Sequence, residues 1–525
     1  MRNWPSIFVI GLVVLAGIPF ISCDPGDIKR NNTHSETDLS SIRKGKILAA
    51  QYCQSCHQLP DPALLDAGSW EKGVLPHMGP LLGINYYNGK TYPADRNDRY
   101  LFKNYYPSVP MLKPEEWGHI IDYYTATSPD SLPGQQRPGP IDSGGTPFEV
   151  IVPKVYAGSP PTTCMVQVDT SSKTHTLLVA DAILKRVVRW SARLDRLDSI
   201  ECGGPVVNVD YAKDAAVLTN IGVLNPTNGK YGRGQRYVQH SGRMHLDSPA
   251  LFDNLARPVQ ITVADLNGDG RPDYLVCEFG YMTGALSWME NKGDSGFVRH
   301  IIRQIPGAIK AYINDYNHDG RPDLWVLFAQ AEEGIFHFTN KGGGEFSAEE
   351  VLRFPPAYGS SYFELTDINK DGYPDIIYTC GDNADFSPVL KPYHGVYIFL
   401  NDGKDHFVQR YFYPINGCYK AIARDFDGDG DIDIAAISFF ADYNRQPGEG
   451  FIYLENQGNL QFKAHTLPGS RVGRWLTMDA ADLDGDGRID IILGNFSVAP
   501  QMIKSGIDWK KGPPFLFLKN IGKTN

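Results

Sequence analysis

The chain has 525 residues, of which 42% are hydrophobic and 21% charged, and its formal net charge is −10. This composition is that of a globular protein and excludes a disordered or fibrous chain, and the length predicts more than one domain. Nucleic acid is excluded as a partner because there is no excess of basic residues to meet phosphate groups.

The N-terminus has the pattern of an export signal. Arg2 precedes an apolar stretch from Ile7 to Ile21, which is short for a membrane span. The stretch runs into Ile21-Ser22-Cys23, which resembles the lipobox of bacterial lipoproteins. The resemblance implies a signal peptide over residues 1–22, lipidation of Cys23, a tether over 23–40 and a location in the cell envelope, at the periplasmic face or in the outer membrane. The alternatives are a plain secretory signal peptide and an N-terminal anchor in which Cys23 occurs by chance.

Residues 53–57 read Cys-Gln-Ser-Cys-His, the C-x-x-C-H pattern of covalent haem attachment. In this chemistry Cys53 and Cys56 bond one edge of the porphyrin, and His57 reaches the iron. The nearby sequence has no second Cys/His pair that would complete a zinc site instead. The motif therefore predicts one covalently bound haem c.

The sequence around this motif predicts two helices. One covers residues 41–52, and the other begins at Lys113-Pro114, with proline and two acidic residues in its first turn. Gly45 and Leu48 precede the motif as in the G-x-x-L…C-x-x-C-H opening of class I cytochromes c, which the chain resembles over residues 41–126. The resemblance implies a small all-α domain that transfers single electrons.

The sixth ligand of the haem iron has three candidates, two methionines and, as a further option, His77. A thioether is the usual choice and raises the reduction potential. Met111 lies just before the second helix, where the family places its methionine, whereas Met78 lies in a loop after a short predicted helix. The sequence leaves all three open.

Beyond residue 126 the composition changes, and residues 127–147, rich in Pro, Gly, Ser and Asp, are predicted to be a linker. Five copies of one acidic loop follow. Each has oxygen-bearing side chains at positions 1, 3, 5 and 9 and glycine at position 6, the spacing of an all-oxygen calcium site. The predicted ligands are Asp265, Asn267, Asp269 and Asp273; Asp315, Asn317, Asp319 and Asp323; Asp367, Asn369, Asp371 and Asp375; Asp425, Asp427, Asp429 and Asp433; and Asp482, Asp484, Asp486 and Asp490.

These loops are not EF-hands, because position 12 has no glutamate and a strand-like run follows position 9. Each unit closes with a strand, Asn-x-Gly and, in most copies, Phe, a pattern that resembles the FG-GAP/VCBS repeat. The resemblance implies four-stranded propeller blades. Two degenerate units before residue 255 lack the acidic loop, so we expect seven blades over residues 148–525 and about five Ca²⁺ ions. We expect residues 148–152 to complete the last blade, which closes the ring.

The expected architecture is therefore multidomain: an all-α cytochrome c-like domain and an all-β seven-bladed propeller. We expect an electron-transfer protein whose propeller binds a redox partner, an envelope component or a ligand. The alternatives are a propeller-based oxidoreductase that passes electrons to its own haem, and an adhesion or assembly scaffold. Four cations before the acidic loops, Arg257, Lys310, Lys420 and Arg474, are candidates for holding an anionic ligand or a polysaccharide at the channel.

Catalytic residues, the identity of the redox partner and the oligomeric state are not predicted. Five cysteines remain after the haem and lipid assignments, and an odd number cannot all pair within one chain. They are Cys164, Cys202, Cys277, Cys380 and Cys418. Cys277 and Cys380 lie in apolar runs, which favours buried thiols.

Overall fold

The structure is a computed structural model that describes residues 38–55, 57–154, 158–171, 174–212, 215–384, 386–498 and 505–522. A helical segment (residues 38–127) comes first and a seven-bladed, all-β propeller follows. The predicted signal peptide, its lipidated Cys23 and Cys56 lie outside the described residues. Among those that are described, no helix is long and apolar enough to cross a membrane.

The helical segment contains four α-helices, and its first and last helices pack against each other. A Cβ atom on Gly45 would lie 1.9 Å from the carbonyl oxygen of His119, so the close crossing of these two helices requires glycine. The last helix begins at Pro114, as predicted. The helices are α1 (Leu39–Tyr52), α2 (Ala67–Ser69), α3 (Leu75–Met78) and α4 (Pro114–Thr127). Shorter elements are 3₁₀ turns at Cys53–Ser55, Pro62–Leu64 and Gly79–Leu82, a π-helical turn at Trp70–Val74, and paired strands at Tyr86–Tyr87 and Lys90–Thr91.

Seven antiparallel sheets form the blades of the propeller, numbered here in chain order. Blade 1 is Thr163–Asp169, Thr176–Asp181, Arg186–Ser191 and Arg196–Glu201. Blade 2 is Val206–Ala212, Ala215–Asn220, Gly232–His240, Arg243–Leu246 and Phe252–Leu255. Blade 3 is Pro258–Ala264, Asp273–Glu278, Ala285–Asn291 and Phe297–Arg303, and blade 4 is Ala308–Asn314, Asp323–Phe328, Gly334–Gly342 and Glu345–Arg353.

The remaining blades follow the same pattern. Blade 5 is Ser360–Thr366, Asp375–Cys380, Gly395–Asn401 and Phe407–Pro414, and blade 6 is Cys418–Arg424, Asp433–Ser438, Phe451–Asn456 and Phe462–Thr466. Blade 7 is Trp475–Ala481, Asp490–Asn495, Phe515–Asn520 and Phe148–Ile151. Short 3₁₀ turns lie at Gly293–Ser295, Pro447–Gly450, Pro468–Val472 and Trp509–Lys511.

Blade 7 takes its outermost strand from the start of the propeller. Phe148–Ile151 pairs antiparallel with Phe515–Asn520, with Phe148 opposite Asn520. The strand predicted to close the ring is therefore in the expected place. Because the two ends of the propeller sequence share one sheet, the edge of Phe515–Asn520 is covered.

The first strand of each blade lines the central channel and contacts the first strands of both neighbours. A polar side chain on each of these strands forms a hydrogen bond with the backbone of the next blade, so that seven junctions form a complete ring. The bonded pairs are Gln167 and Val209, Asp210 and Val263, Gln260 and Ala311, Tyr312 and Phe363, Glu364 and Ala423, Lys420 and Met478, and Asp479 and Val168.

The helical segment lies on one face of the propeller, and the acidic loops lie on the other. Each acidic loop joins the first and second strands of its blade, whereas the helical segment contacts loops that join the second and third strands. His77 stacks on Phe386 with ring centroids 3.6 Å apart, and the Tyr393 hydroxyl donates to the Leu64 carbonyl at 2.9 Å. Antiparallel strands place these two kinds of loop at opposite ends of a blade.

The sequence predicts a linker over residues 127–147, but Thr127 is the last residue of α4. Residues 128–147 run along blades 5 and 6 and are named here the strap. Arg137 forms an ion pair with the fully buried carboxylate of Glu449, and its Nε donates to the Pro414 carbonyl at 3.2 Å. Asp142–Ser143 pairs in parallel with the outer strand of blade 6. The predicted linker therefore contains a short strand and is also anchored by its side chains, which contact residues of blades 5 and 6.

We predict that Arg137→Ala destabilises the strap, because it leaves Glu449 buried without its cation. Removing one partner of a buried pair costs about 3–5 kcal/mol. The expected result is a lower thermal midpoint and faster proteolysis within residues 128–147. Lys463→Ala is the control: its pair with Asp142 is exposed, and exposed pairs contribute at most about 1 kcal/mol. Equal effects of the two substitutions would contradict the role of Arg137.

Candidate haem and calcium sites

The described residues of the haem motif lie where α1 ends. Cys53 directly follows α1 and is half-buried, and His57 is 7% exposed. The His57 Nδ1 atom lies 2.8 Å from the Gln58 carbonyl oxygen. A carbonyl oxygen only accepts, so Nδ1 carries the proton and Nε2 is the nitrogen with the lone pair that a metal requires. Burial lowers the pKa of His57, which favours the neutral ring that coordinates a metal.

The two candidate methionines occupy different environments. Met78 is half-buried and packs against the same apolar cluster as Cys53, around Trp70, Trp117 and Tyr124. The Met111 residue is 40% exposed, and its backbone N–H donates to the Leu82 carbonyl at 2.9 Å. The structure therefore brings Met78, and not Met111, into one cluster with the described cysteine.

His77 has a different role from its neighbour Met78. Its ring stacks on Phe386 of blade 5, and its Nδ1 lies 2.7 Å from the Gly73 carbonyl oxygen. The backbones of Gly73 and Phe386 also lie close together. A Cβ atom on Gly73 would lie 2.0 Å from the Phe386 carbonyl oxygen, so this contact requires glycine. His77 thus belongs to the interface between the helical segment and the propeller.

The five acidic loops share one hydrogen-bond pattern. In every loop the side chain at position 1 accepts from the N–H of position 6, position 3 accepts from position 5, and position 5 accepts from position 7. The glycine at position 6 has a positive φ in all five, from 81° at Gly270 to 97° at Gly430. The sharp turn that glycine permits directs the oxygens of positions 1, 3 and 5 toward one another.

The aspartate at position 9 is a latch as well as a candidate ligand. All five are fully buried, and each accepts from the backbone N–H of an asparagine at or near the end of the third strand. The pairs are Asp273 and Asn291, Asp323 and Asn340, Asp375 and Asn401, Asp433 and Asn456, and Asp490 and Asn520. This latch joins the acidic loop to the neighbouring turn. The Asn-x-Gly pattern has its own reason, because the Oδ1 atom of each asparagine accepts from the N–H of the glycine two residues on.

Three carboxylates converge in the loops of blades 6 and 7. The groups are Asp425, Asp427 and Asp433, and Asp482, Asp484 and Asp490, and in each the ligand atoms lie within 4.8 Å of one another. Burial and the nearby Asp427 raise the pKa of Asp433 to about 7. Clustered carboxylates with raised pKa values are stabilised by a cation, so this donor set fits Ca²⁺.

Charge compensation differs between the loops. An arginine at position 7 contacts the aspartate at position 5 in blades 3, 4 and 7, through Arg271, Arg321 and Arg488. The loop of blade 6 has Asp431 at that position instead, and Lys370 of the blade 5 loop contacts it at 3.1 Å. The blade 6 loop therefore has the greatest excess of negative charge, which makes it the strongest candidate for a cation.

The four predicted channel cations do not form one cluster. Arg257 and Arg474 are buried and donate to backbone carbonyls of loops on the face that bears the helical segment, Arg257 to Leu224 at 2.7 Å and Arg474 to Phe439 at 2.9 Å. Lys420 donates to the Met478 carbonyl at 2.7 Å within the inter-blade ring. Lys310 lines a cavity, and among the residues that the structure describes it donates no hydrogen bond to a backbone carbonyl.

Sequence reasoning missed the ring of inner-strand hydrogen bonds and the Arg137–Glu449 pair. Neither has a local signal, because the partners come from different blades or from the strap. The remaining cysteines, Cys164, Cys202, Cys277, Cys380 and Cys418, are free and buried, which confirms the buried thiols expected at Cys277 and Cys380.

The seven sheets and the acidic loops together define a seven-bladed propeller built partly from FG-GAP-like repeats. The family model described as an FG-GAP-like repeat matches residues 265–326, 315–378 and 425–493. These matches include all five acidic loops and leave out residues 379–424. The resemblance noted from the sequence is therefore confirmed for the repeats.

Comparison with curated proteins finds the human T-cell immunomodulatory protein, 32% identical over 136 residues, which is 21% of this chain and 22% of that protein. The match thus spans about a fifth of that relative. Similar solved structures include BBS1N in complex with ARL6DN (TM-score 0.43, 10% identity, 73% of this chain and 99% of that one). Sqt1 of Saccharomyces cerevisiae is another (TM-score 0.42, 8% identity, 70% and 98%). Likeness at this level supports no inference about function.

We predict that the acidic loops bind calcium. The substitution Asp425→Ala should remove one ion per chain, because it deletes the position 1 carboxylate that organises the blade 6 loop. Metal analysis after dialysis measures the ion count, and chelation should lower the thermal midpoint of the wild type. Asp427→Asn is the matched control, since it recreates the asparagine that blade 5 has at Asn369. An unchanged ion count in Asp425→Ala would contradict a site in this loop.

Proposed function

We propose that the protein is an exported electron-transfer protein that holds one haem c in its helical segment. The observation that carries the proposal is the arrangement at the end of α1: Cys53 and Met78 pack against one apolar cluster, and the buried His57 is oriented by the Gln58 carbonyl. Cys53 and Cys56 would hold the porphyrin, with His57 and Met78 as the axial ligands. When bound, the haem supplies reversible one-electron transfer.

The propeller serves as a rigid base for this haem segment. The His77–Phe386 stack, the Tyr393–Leu64 hydrogen bond and the strap hold the segment on the face opposite the acidic loops. Calcium in the acidic loops would stabilise the blades by neutralising clustered carboxylates.

The partner of this protein is proposed to be a redox protein or another component of the cell envelope. A lipid on Cys23 would keep the protein at the membrane surface, where such partners are found. The alternatives are a propeller-based oxidoreductase and an adhesion scaffold. Reduction of the haem by a small substrate alone would favour the oxidoreductase, and partner binding that persists without haem would favour the scaffold.

We predict that the chain, produced with haem c maturation machinery, carries covalently bound haem and that Met78→Ala lowers its reduction potential by on the order of 0.1 V, because a thioether ligand raises the potential. Potentiometry with absorption spectra measures both properties. Met111→Ala is the matched control and should leave the potential unchanged. A lowered potential in Met111→Ala alone would assign the axial position to Met111, and absence of covalent haem would overturn the proposal.

A further inference from the structure

A cavity opens into the central channel between the first strands of blades 1 to 4. Its volume is about 610 Å³, within the range of small-molecule sites. Its rim includes Asp265 and Asp315, the first residues of two acidic loops. The cavity therefore opens on the face away from the helical segment, and it is separate from the proposed haem site.

Lys310 is the charged side chain of this cavity that the propeller does not use. In blade 4 the hydrogen bond to the next blade is made by Tyr312. In blade 6, Lys420 lies at the position equivalent to Lys310, and it donates to the Met478 carbonyl. The ammonium of Lys310 lies 4.7 Å from the ring centroid of Tyr312 and 5.8 Å from that of Tyr362. Within the described ranges it has no ion pair and no hydrogen-bond acceptor.

The other polar groups of the cavity complement this cation. Asp210 also lines the cavity. Among the described residues it forms no ion pair with Lys310. The Asp210 Oδ2 atom accepts from the Val263 N–H at 2.9 Å, and its other oxygen has no bond among the residues described. Asn208 and Thr262 add an amide and a hydroxyl to the lining. A cation and an acceptor thus face the same space without contacting each other.

We propose that this cavity binds a small hydroxy-carboxylate, such as a sugar acid. The ligand carboxylate would contact Lys310 Nζ, and a ligand hydroxyl would donate to Asp210. A hydroxy-carboxylate fits better than a simple inorganic anion because Asp210 would repel a second negative charge at its end of the cavity. Tyr312, which also lines the cavity, would offer ring surface to the apolar face of a sugar.

The burial of Lys310 is consistent with a ligand-binding role. Burial, and then the nearby Lys420, lower the pKa of Lys310 to about 8. Lys310 is still mostly charged at pH 7, and a bound carboxylate would raise its pKa, since an opposite charge at close range favours the charged form. Removing the ammonium should not harm the fold, because the inter-blade ring does not include it.

Isothermal titration calorimetry of the full chain tests this proposal, with galacturonate as the probe and galactose as its neutral analogue. The buffer contains calcium, because Asp265 and Asp315 would otherwise repel an anion at the rim. We expect galacturonate to bind and galactose to bind at least about tenfold more weakly, the difference expected for one charge-assisted contact. Lys310→Met should weaken galacturonate binding by a similar factor.

Lys404→Met is the matched control, since Lys404 is exposed and lies on the same face outside the cavity. It should bind galacturonate as the wild type does, and Lys310→Met should keep the wild-type thermal midpoint. Equal binding by Lys310→Met and wild type, or no binding of galacturonate to the wild type, would overturn the proposal.

A second measurement needs no variant. Reductive methylation of the wild type, followed by peptide mass spectrometry, reports the accessibility of the Lys310 amine. Galacturonate should slow the modification of Lys310 and leave that of Lys404 unchanged, whereas galactose should protect neither. Equal modification of Lys310 with and without galacturonate would overturn the proposal even if the variant failed to fold.

Discussion

The pairing of Phe148–Ile151 with Phe515–Asn520 is the contact on which the rest of the architecture depends. It closes a ring whose neighbouring blades are also joined by seven inner-strand hydrogen bonds, and each of those bonds requires the next blade to be in place. Without the closing strand, blade 7 would expose the edge of Phe515–Asn520. The strap directly precedes this strand, so the same closure also fixes where the helical segment can lie.

The propeller places the proposed haem site and the acidic loops on opposite faces. Each blade reverses direction at every strand, so its acidic loop and the loop that contacts the helical segment emerge at opposite ends. The buried latch at position 9 holds each acidic loop to the turn beside it, which keeps the clustered carboxylates in place before any ion arrives. A cation bound there would stabilise the blades without approaching the haem motif.

The inner strands show how one repeat position takes on different roles. Gln260, Lys310 and Lys420 occupy equivalent positions in blades 3, 4 and 6, yet Gln260 and Lys420 bond to the next blade while Lys310 faces the cavity. The difference arises because Tyr312 already spans the junction between blades 4 and 5. Because Lys310 is not needed to join blades 4 and 5, its side chain is available for a ligand.

The sequence by itself determined the seven blades, the closing strand, the start of α4 and the shape of the acidic loops. These features depend on local spacing, such as glycine at position 6 or proline at the first turn of a helix, and local spacing is visible in the chain. Only the tertiary structure decided that Met78 and not Met111 packs near Cys53, that the strap is anchored by Glu449, and that Lys310 is separated from Arg257 and Arg474. Those outcomes depend on which distant residues meet when blades and helices dock, and no periodicity in the sequence reports such contacts.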